Sequence, residues 1–186
     1  MNRFQVSDCP LAGLKLVRRQ QLGDARGFLS RLFCAEELAA AGWMAPIAQI
    51  NHTYTQGIGM LRGMHYQQPP HAEMKLVTCL RGEVWDVAVD LRFGSPTFLQ
   101  WHAEVLSTEN ACALLVPEGF AHGYQALTDN VELLYCHSVP YAAQAQAGLH
   151  PLDQRLGIPW PRPAQGLSDK DAGQLAIDAN FEGVRL

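Results

Sequence analysis

Pro117-Glu118-Gly119-Phe120-Ala121-His122-Gly123-Tyr124 sets a histidine five residues after a rigid proline, in a run of apolar β-formers. Proline cannot donate to a sheet ladder and glycine tolerates turn dihedrals, so the stretch reads as a turn that hands an imidazole to a new strand. Upstream, Leu61-Arg62-Gly63-Met64-His65-Tyr66-Gln67 and Glu73-Met74-Lys75-Leu76-Val77 embed more charged and imidazole groups in equally apolar surroundings. Burying such groups is costly unless they are paired, so the clusters point to a pocket.

Working outward, the chain from Gln49 to Tyr141 is a series of short apolar or alternating runs punctuated by Gly, Pro, Asn and Asp. The runs Leu76–Leu80, Glu83–Leu91, Thr97–Leu106, Cys112–Val116 and Val131–Ser138 predict strands, and Arg81-Gly82-Glu83 and Phe93-Gly94-Ser95-Pro96 predict turns between them. Regular short strands of this kind predict an all-β antiparallel sandwich or barrel. Ala35-Glu36-Glu37-Leu38-Ala39-Ala40-Ala41 predicts a short helix stopped by Gly42. After Tyr141 the pattern loosens, and Ile158-Pro159-Trp160-Pro161-Arg162-Pro163 is too proline-rich for a regular element. The expectation is one domain over residues 1–186, with a β-core over about 45–142 and a tail over 143–186 that wraps it, turning helically near Asp153–Leu156 and Asp169–Gln174.

With 48% hydrophobic residues the 186-residue chain can bury a substantial core. A net charge of −4 with scattered basic residues argues against a nucleic-acid or membrane-surface role. The absence of a leader-like start and of any apolar run near about 18 residues predicts a soluble cytoplasmic protein. Cys9, Cys34, Cys79, Cys112 and Cys136 are odd in number and form no CxxC pair, which predicts reduced thiols acting as small hydrophobes.

Alternate residues of a strand share a face, so His65 and Gln67 point the same way, while Arg62 needs a turn at Gly63 to join them. A lone Lys75 is compatible with an edge lysine that snorkels, and a lone His122 with a core histidine bonded to backbone. Taken together the groups suit proton transfer: an imidazole as base, an ammonium against a developing oxyanion, and a phenol from Tyr135 or Tyr141 as acid.

Pro-x-Gly-x-x-His resembles the second signature of the cupins, and Gly59 ahead of His65 resembles the start of the first, implying a cupin double-stranded β-helix, or jelly roll, with a few short helices at its periphery. Metal-binding cupins carry His-x-His followed by a glutamate. Here Gln67 takes the second position and Glu73 is spaced too far along, so no metal and no cofactor are expected.

The blocks Gly23-Asp24-Ala25-Arg26-Gly27-Phe28, Leu61–Gln67, Lys75-Leu76-Val77, Gly82–Arg92, Ser95-Pro96-Thr97-Phe98, Pro117–Gly123, Tyr135 with Tyr141, Trp160-Pro161 and Leu167-Ser168-Asp169-Lys170-Asp171 resemble, in the same order, the dTDP-4-dehydrorhamnose 3,5-epimerase family. That resemblance implies inversion at C3, C5 or both in a nucleoside-diphosphate 4-keto-6-deoxyhexose. It casts His65 as general base, Asp171 (or its neighbour Asp169) as the partner that holds its tautomer and charged form and raises its basicity, Lys75 as enolate stabiliser and Tyr135 as far-face acid. Tyr141 and His122 become pocket residues, and Arg62, Gln49 and Asn51 contact the diphosphate. The same resemblance implies that Arg26 and Phe28 are donated to the nucleotide by a partner subunit, and hence a homodimer. Family members tend to carry an acidic residue near the nucleotide where this chain has Arg31, so the base is left open, as is the reading of Arg31 as a plain surface residue. A nucleotide-sugar-binding cupin without activity and a metal-dependent cupin enzyme are the competing readings.

Overall fold

The computed structural model describes residues 2–186. The strands, in chain order, are β1 (Phe4–Asp8), β2 (Lys15–Arg19), β3 (Gln21–Asp24), β4 (Gly27–Ser30), β5 (Gln49–Thr55), β6 (Leu61–Gln67), β7 (Lys75–Arg81), β8 (Glu83–Asp90), β9 (Trp101–Ser107), β10 (Cys112–Val116), β11 (Phe120–Ala126), β12 (Val131–His137) and β13 (Gln146–Gly148). Two short helices, α1 (Ala35–Ala39) and α2 (Asp169–Ala172), lie outside the sheets. A six-stranded sheet in the order β1-β2-β10-β7-β12-β5 faces a five-stranded sheet in the order β13-β6-β11-β8-β9, and β3 and β4 form a separate hairpin. From β5 to β8, and again from β10 to β13, consecutive strands alternate between the two sheets, as the jelly-roll expectation requires.

Gly82 is the only residue between β7 and β8, where the chain leaves one sheet for the other. Its φ is +75°, and a Cβ there would lie 2.6 Å from the Thr128 hydroxyl, so glycine alone fits this corner. The period-2 pattern of β8 sorts its residues into two cores. Val84 and Ala88 point between the sheets to meet Leu14, Val77, Leu114 and Leu133. Val87, Val89 and Leu91 point outward and are covered by tail residues, among them Leu149, Leu156 and Ile177. A third cluster, built on Trp43, Leu38 and Phe4, covers the outer face of the six-stranded sheet at Leu76 and Leu115. Each of these fully buried aliphatic side chains contributes about 1.5–3 kcal/mol, which explains why the central strands β7, β8 and β10 read as nearly continuous apolar runs.

Several boundaries differ from the sequence expectation. The strand expected over Thr97–Leu106 begins at Trp101, because the hydroxyls of Ser95 and Thr97 each donate to Asp90 at 2.6 Å and hold that segment in a turn. The β-core reaches beyond 45–142, taking in β1 and β2 on one side and β13 on the other. Asp153–Leu156 forms turns rather than a helix, and the helices predicted over Ala35–Ala41 and Asp169–Gln174 end at Ala39 and Ala172. No helix among the described residues is long and apolar enough to cross a membrane.

Candidate active site

Along the inward faces of the strands, apolar residues fill one end of the space between the sheets and polar residues line the other. On β7 the inward series runs Lys75, Val77, Cys79, and on β12 it runs His137, Tyr135, Leu133, Val131. The polar end is a cavity of about 290 Å³ that Asn51, Arg62, His65, Glu73, Lys75, His122, Tyr135, His137 and Tyr141 help to line.

Arg62 reaches this face through a bulge. His65 pairs with His122 and Arg62 with Tyr124, so Gly63 and Met64 on β6 oppose the single Gly123 on β11 and the alternation resets. The bulge packs glycine on glycine: a Cβ on Gly63 would lie 2.6 Å from Gly123 Cα.

Three imidazole–carboxylate pairs meet the cavity. His65 Nε2 donates to Asp171 Oδ1 at 2.6 Å. Asp171 arrives from the tail on α2, where the Ser168 hydroxyl accepts the Asp171 backbone N–H and caps the helix. His122 Nε2 lies 2.9 Å from both oxygens of the fully buried Asp86. His137 Nδ1 donates to Glu73 Oε2 at 2.9 Å, and Lys75 Nζ holds the other oxygen at 3.0 Å. Lys75 also reaches the His65 carbonyl at 3.4 Å.

The electrostatics separate these groups. Burial drives the His65 imidazole below its ordinary value and outweighs the opposing pull of Asp171, so the ring is neutral near pH 7 with one nitrogen free to accept a proton. Asp171 does raise the basicity of His65, as expected, but desolvation outweighs it, so the expectation of a resting charged ring is corrected: the carboxylate fixes the tautomer while burial sets the net direction. Burial pushes the Tyr135 phenol well up, which keeps it protonated. Burial also pushes the Asp86 carboxyl up, partly offset by His122. Glu73 runs the other way, because the His137 hydrogen bond and the Lys75 charge together outweigh burial.

A family model for dTDP-4-dehydrorhamnose 3,5-epimerase matches residues 8–178. The chain belongs to the dTDP-4-dehydrorhamnose 3,5-epimerase family. Among its relatives, the dTDP-4-dehydrorhamnose 3,5-epimerase of Sinorhizobium fredii (strain NBRC 101917 / NGR234) is 40% identical, across 100% of this chain and 97% of its own. That of Mycolicibacterium smegmatis is 45% identical over 87% of this chain and 80% of its own. The crystal structure of a dTDP-6-deoxy-D-glucose-3,5-epimerase from Legionella pneumophila Philadelphia 1, in complex with dTDP-4-keto-L-rhamnose, superposes with a TM-score of 0.91 at 37% identity, covering 98% of both chains. A 3'-monoepimerase from Streptomyces bikiniensis in complex with dTDP-quinovose is also similar, with a TM-score of 0.84 at 32% identity over 90% of this chain and 85% of its own.

Against the residues that the dTDP-4-dehydrorhamnose 3,5-epimerase resemblance marks out, the cavity gathers His65, Lys75, Tyr135, His122, Tyr141, Arg62 and Asn51. Asp171 stands directly behind His65, whereas its competitor Asp169 is exposed. Gln49 lies one step back, donating to Asn51 Oδ1 and accepting the Tyr141 backbone N–H. Arg26 and Phe28 are not at the cavity: they sit on the exposed β3–β4 hairpin, with Arg26 paired to Asp24. Arg31 pairs with Glu37 of α1 at the surface.

Three cavity-side groups were not among the sequence-derived candidates. The spacing of a metal motif discounts Glu73, yet its place just ahead of β7 brings it to Lys75 and His137. The His-Ser pair at 137–138 and the Asp86 position on the inward phase of β8 were the available signals. As for metal donors, Cys9, His102 and Glu104 place ligand atoms within 4.8 Å of one another, apart from the cavity. Burial and the nearby Glu104 push the Cys9 thiol up to about 11, so it rests protonated.

Proposed function

We propose that the protein inverts C3, C5 or both in a nucleoside-diphosphate 4-keto-6-deoxyhexose, with dTDP as the nucleotide, by removing and returning a proton alpha to the ketone. The observation that carries this reading is the placement of His65 and Tyr135 on facing sheets around one cavity, with Lys75 beside them.

In this cycle His65, neutral and fixed in one tautomer by Asp171, takes the proton at carbon. The electrons move into the C4 carbonyl and form an enolate. The Lys75 ammonium, held by Glu73 in a partly desolvated cavity, stabilises that oxygen where charges interact more strongly than in water. Tyr135, kept protonated by burial, returns a proton from the opposite wall, which is the requirement for inversion rather than simple exchange. All steps are proton transfers, so the scheme calls for no metal or other cofactor. Arg62 and Asn51, with Gln49 behind Asn51, serve the diphosphate, for which an arginine fork is a good match. His122 and Tyr141 shape the sugar end.

The reading includes a homodimer in which the partner supplies Arg26 and Phe28 to the nucleotide. Its support is the β3–β4 hairpin, which leaves Leu22, Phe28 and Leu29 exposed on one short element. Sedimentation giving only the 20.5 kDa monomer would remove this part. Cytoplasmic residence belongs to the same reading and is checked by cell fractionation.

The deciding experiment follows solvent deuterium entering a dTDP-4-keto-6-deoxyhexose by proton NMR. His65→Ala abolishes incorporation, and Tyr135→Phe spares exchange more than net inversion. Wild-type exchange in His65→Ala, or equal loss of both signals in Tyr135→Phe, overturns the assignment.

A further inference from the structure

The Lys75 side chain is 9% exposed, and its Nζ contacts Glu73 Oε1 at 3.0 Å. The other Glu73 oxygen accepts from His137 Nδ1 at 2.9 Å. That assignment fixes the rest of a chain. An ionised carboxylate only accepts, so His137 carries its proton on Nδ1 and its Nε2 is an acceptor. Asn51 Nδ2 lies 3.3 Å from that Nε2 and donates to it. Gln49 Nε2 donates to Asn51 Oδ1 at 2.9 Å, and the Tyr141 backbone N–H donates to Gln49 Oε1 at 2.9 Å. Every link runs in the same direction, toward Glu73, and such aligned chains strengthen one another.

We propose that Glu73 is the positioning residue for Lys75, held in place by the hydrogen-bond chain that runs from Gln49 and Asn51 through His137. The inference rests on the reading of Lys75 as the enolate's partner and extends it to the residues that aim the ammonium. An ammonium taken out of water loses its proton readily unless a carboxylate faces it. Two further carboxylates near the cavity, Asp171 and Asp86, are each taken up by an imidazole. Other groups facing the space are His65 and Arg62 on β6, His122 on β11, and Tyr135 on β12, whose phenol burial keeps neutral. None of these offers Lys75 a negative charge. Glu73 does, and it comes from the same strand end, so the pair forms with little chain to order.

Two oxygens bonded from different strands, β12 and β7, also fix the carboxylate's plane. That leaves Lys75 one donor for a substrate oxygen, beside those to Glu73 and the His65 carbonyl, while Glu73 cannot swing into the cavity as a competing base. The chain's far end lies among residues assigned to the diphosphate, so the oxyanion partner and the nucleotide end share one rigid set of hydrogen bonds.

The test compares Glu73→Gln, which keeps the shape and removes the charge, with wild type across a pH series of deuterium exchange. Expected is a fall in kcat of about tenfold or more near neutrality, with the basic limb of the profile moved down by about one pH unit or more. Affinity for dTDP alone stays within about twofold. His137→Asn, which keeps a donor toward Glu73, retains most of the rate that His137→Leu loses. A Glu73→Gln enzyme with an unmoved basic limb, or equal rates in the two His137 variants, overturns the proposal. Lys75→Met separates the two levels: if it keeps wild-type exchange the enolate role of Lys75 fails, whereas loss of exchange there with a wild-type Glu73→Gln profile defeats the positioning role alone.

Discussion

Replacing Asp171 with asparagine keeps the side-chain volume, leaves the helix cap intact because Ser168 bonds the backbone N–H, and removes the one charge directly behind His65. The effect can be worked from the geometry. A hydrogen bond to a charged group contributes about 1.5–3 kcal/mol, and the imidazolium that needs it exists after proton abstraction, not in the resting enzyme. The loss therefore falls on the barrier, and at about 1.36 kcal/mol per decade kcat/KM drops roughly 10- to 150-fold. A second signature has a definite sign. Burial lowers the His65 imidazole and Asp171 is the main force opposing it, so the asparagine variant titrates lower still. The base acts when neutral, so the acidic limb of the kcat/KM profile moves to lower pH as the rate falls. Initial rates of deuterium incorporation over roughly pH 5 to 8 measure both effects. A loss smaller than about threefold, or a limb that stays put or moves up, refutes the claim that Asp171 stabilises the charged ring.

Two further substitutions probe the frame. Gly63→Ala places a methyl 2.6 Å from Gly123 Cα at a φ of +136°, so denaturant unfolding should register a loss above about 2 kcal/mol; a change within about 0.5 kcal/mol would show that the bulge has room to spare. His122→Ala strands the buried Asp86 carboxylate and should cost about 3–5 kcal/mol near neutral pH. Because Asp86 is already pushed up in the folded chain, its protonated form favours folding, so that deficit shrinks as pH falls; a deficit that grows on acidification would contradict the account.

The central strands β7, β8 and β10 were legible because their residues face apolar cover on both sides, which writes near-continuous apolar runs into the sequence, whereas β1 to β4 are largely exposed or short and carry no such signal. Thr97 was misread for the opposite reason: its β-propensity is real, but a hydroxyl bond to Asp90 overrides it. At the site, motif and resemblance together located His65, Lys75, Tyr135 and Asp171, residues held in fixed register by their strands and by α2. Glu73 escaped because its partners, Lys75 and His137, are joined by antiparallel pairing of β7 with β12 across about 60 residues of chain, a separation that no local pattern encodes. Asp86 escaped because a carboxylate on the buried phase of a strand reads as a broken alternation until its imidazole is found on β11.

The three histidine–carboxylate pairs share one chemistry, and exposure tells them apart. The His122 side chain is 5% exposed and that of His137 11%, whereas His65 is 34% exposed beside an Asp171 that is only 5% exposed. A base must touch a ligand carbon and still be braced from behind, and only an open ring with a buried partner meets both demands. His122 and His137 have their carboxylates as deeply buried as themselves, so their bonds brace walls and neighbours. The bracing partner of His65 comes from the tail, outside the β-core. Packing of that tail against the outer face of the five-stranded sheet thus decides whether the base in the cavity is braced, and it couples folding of the last forty residues or so to chemistry at β6.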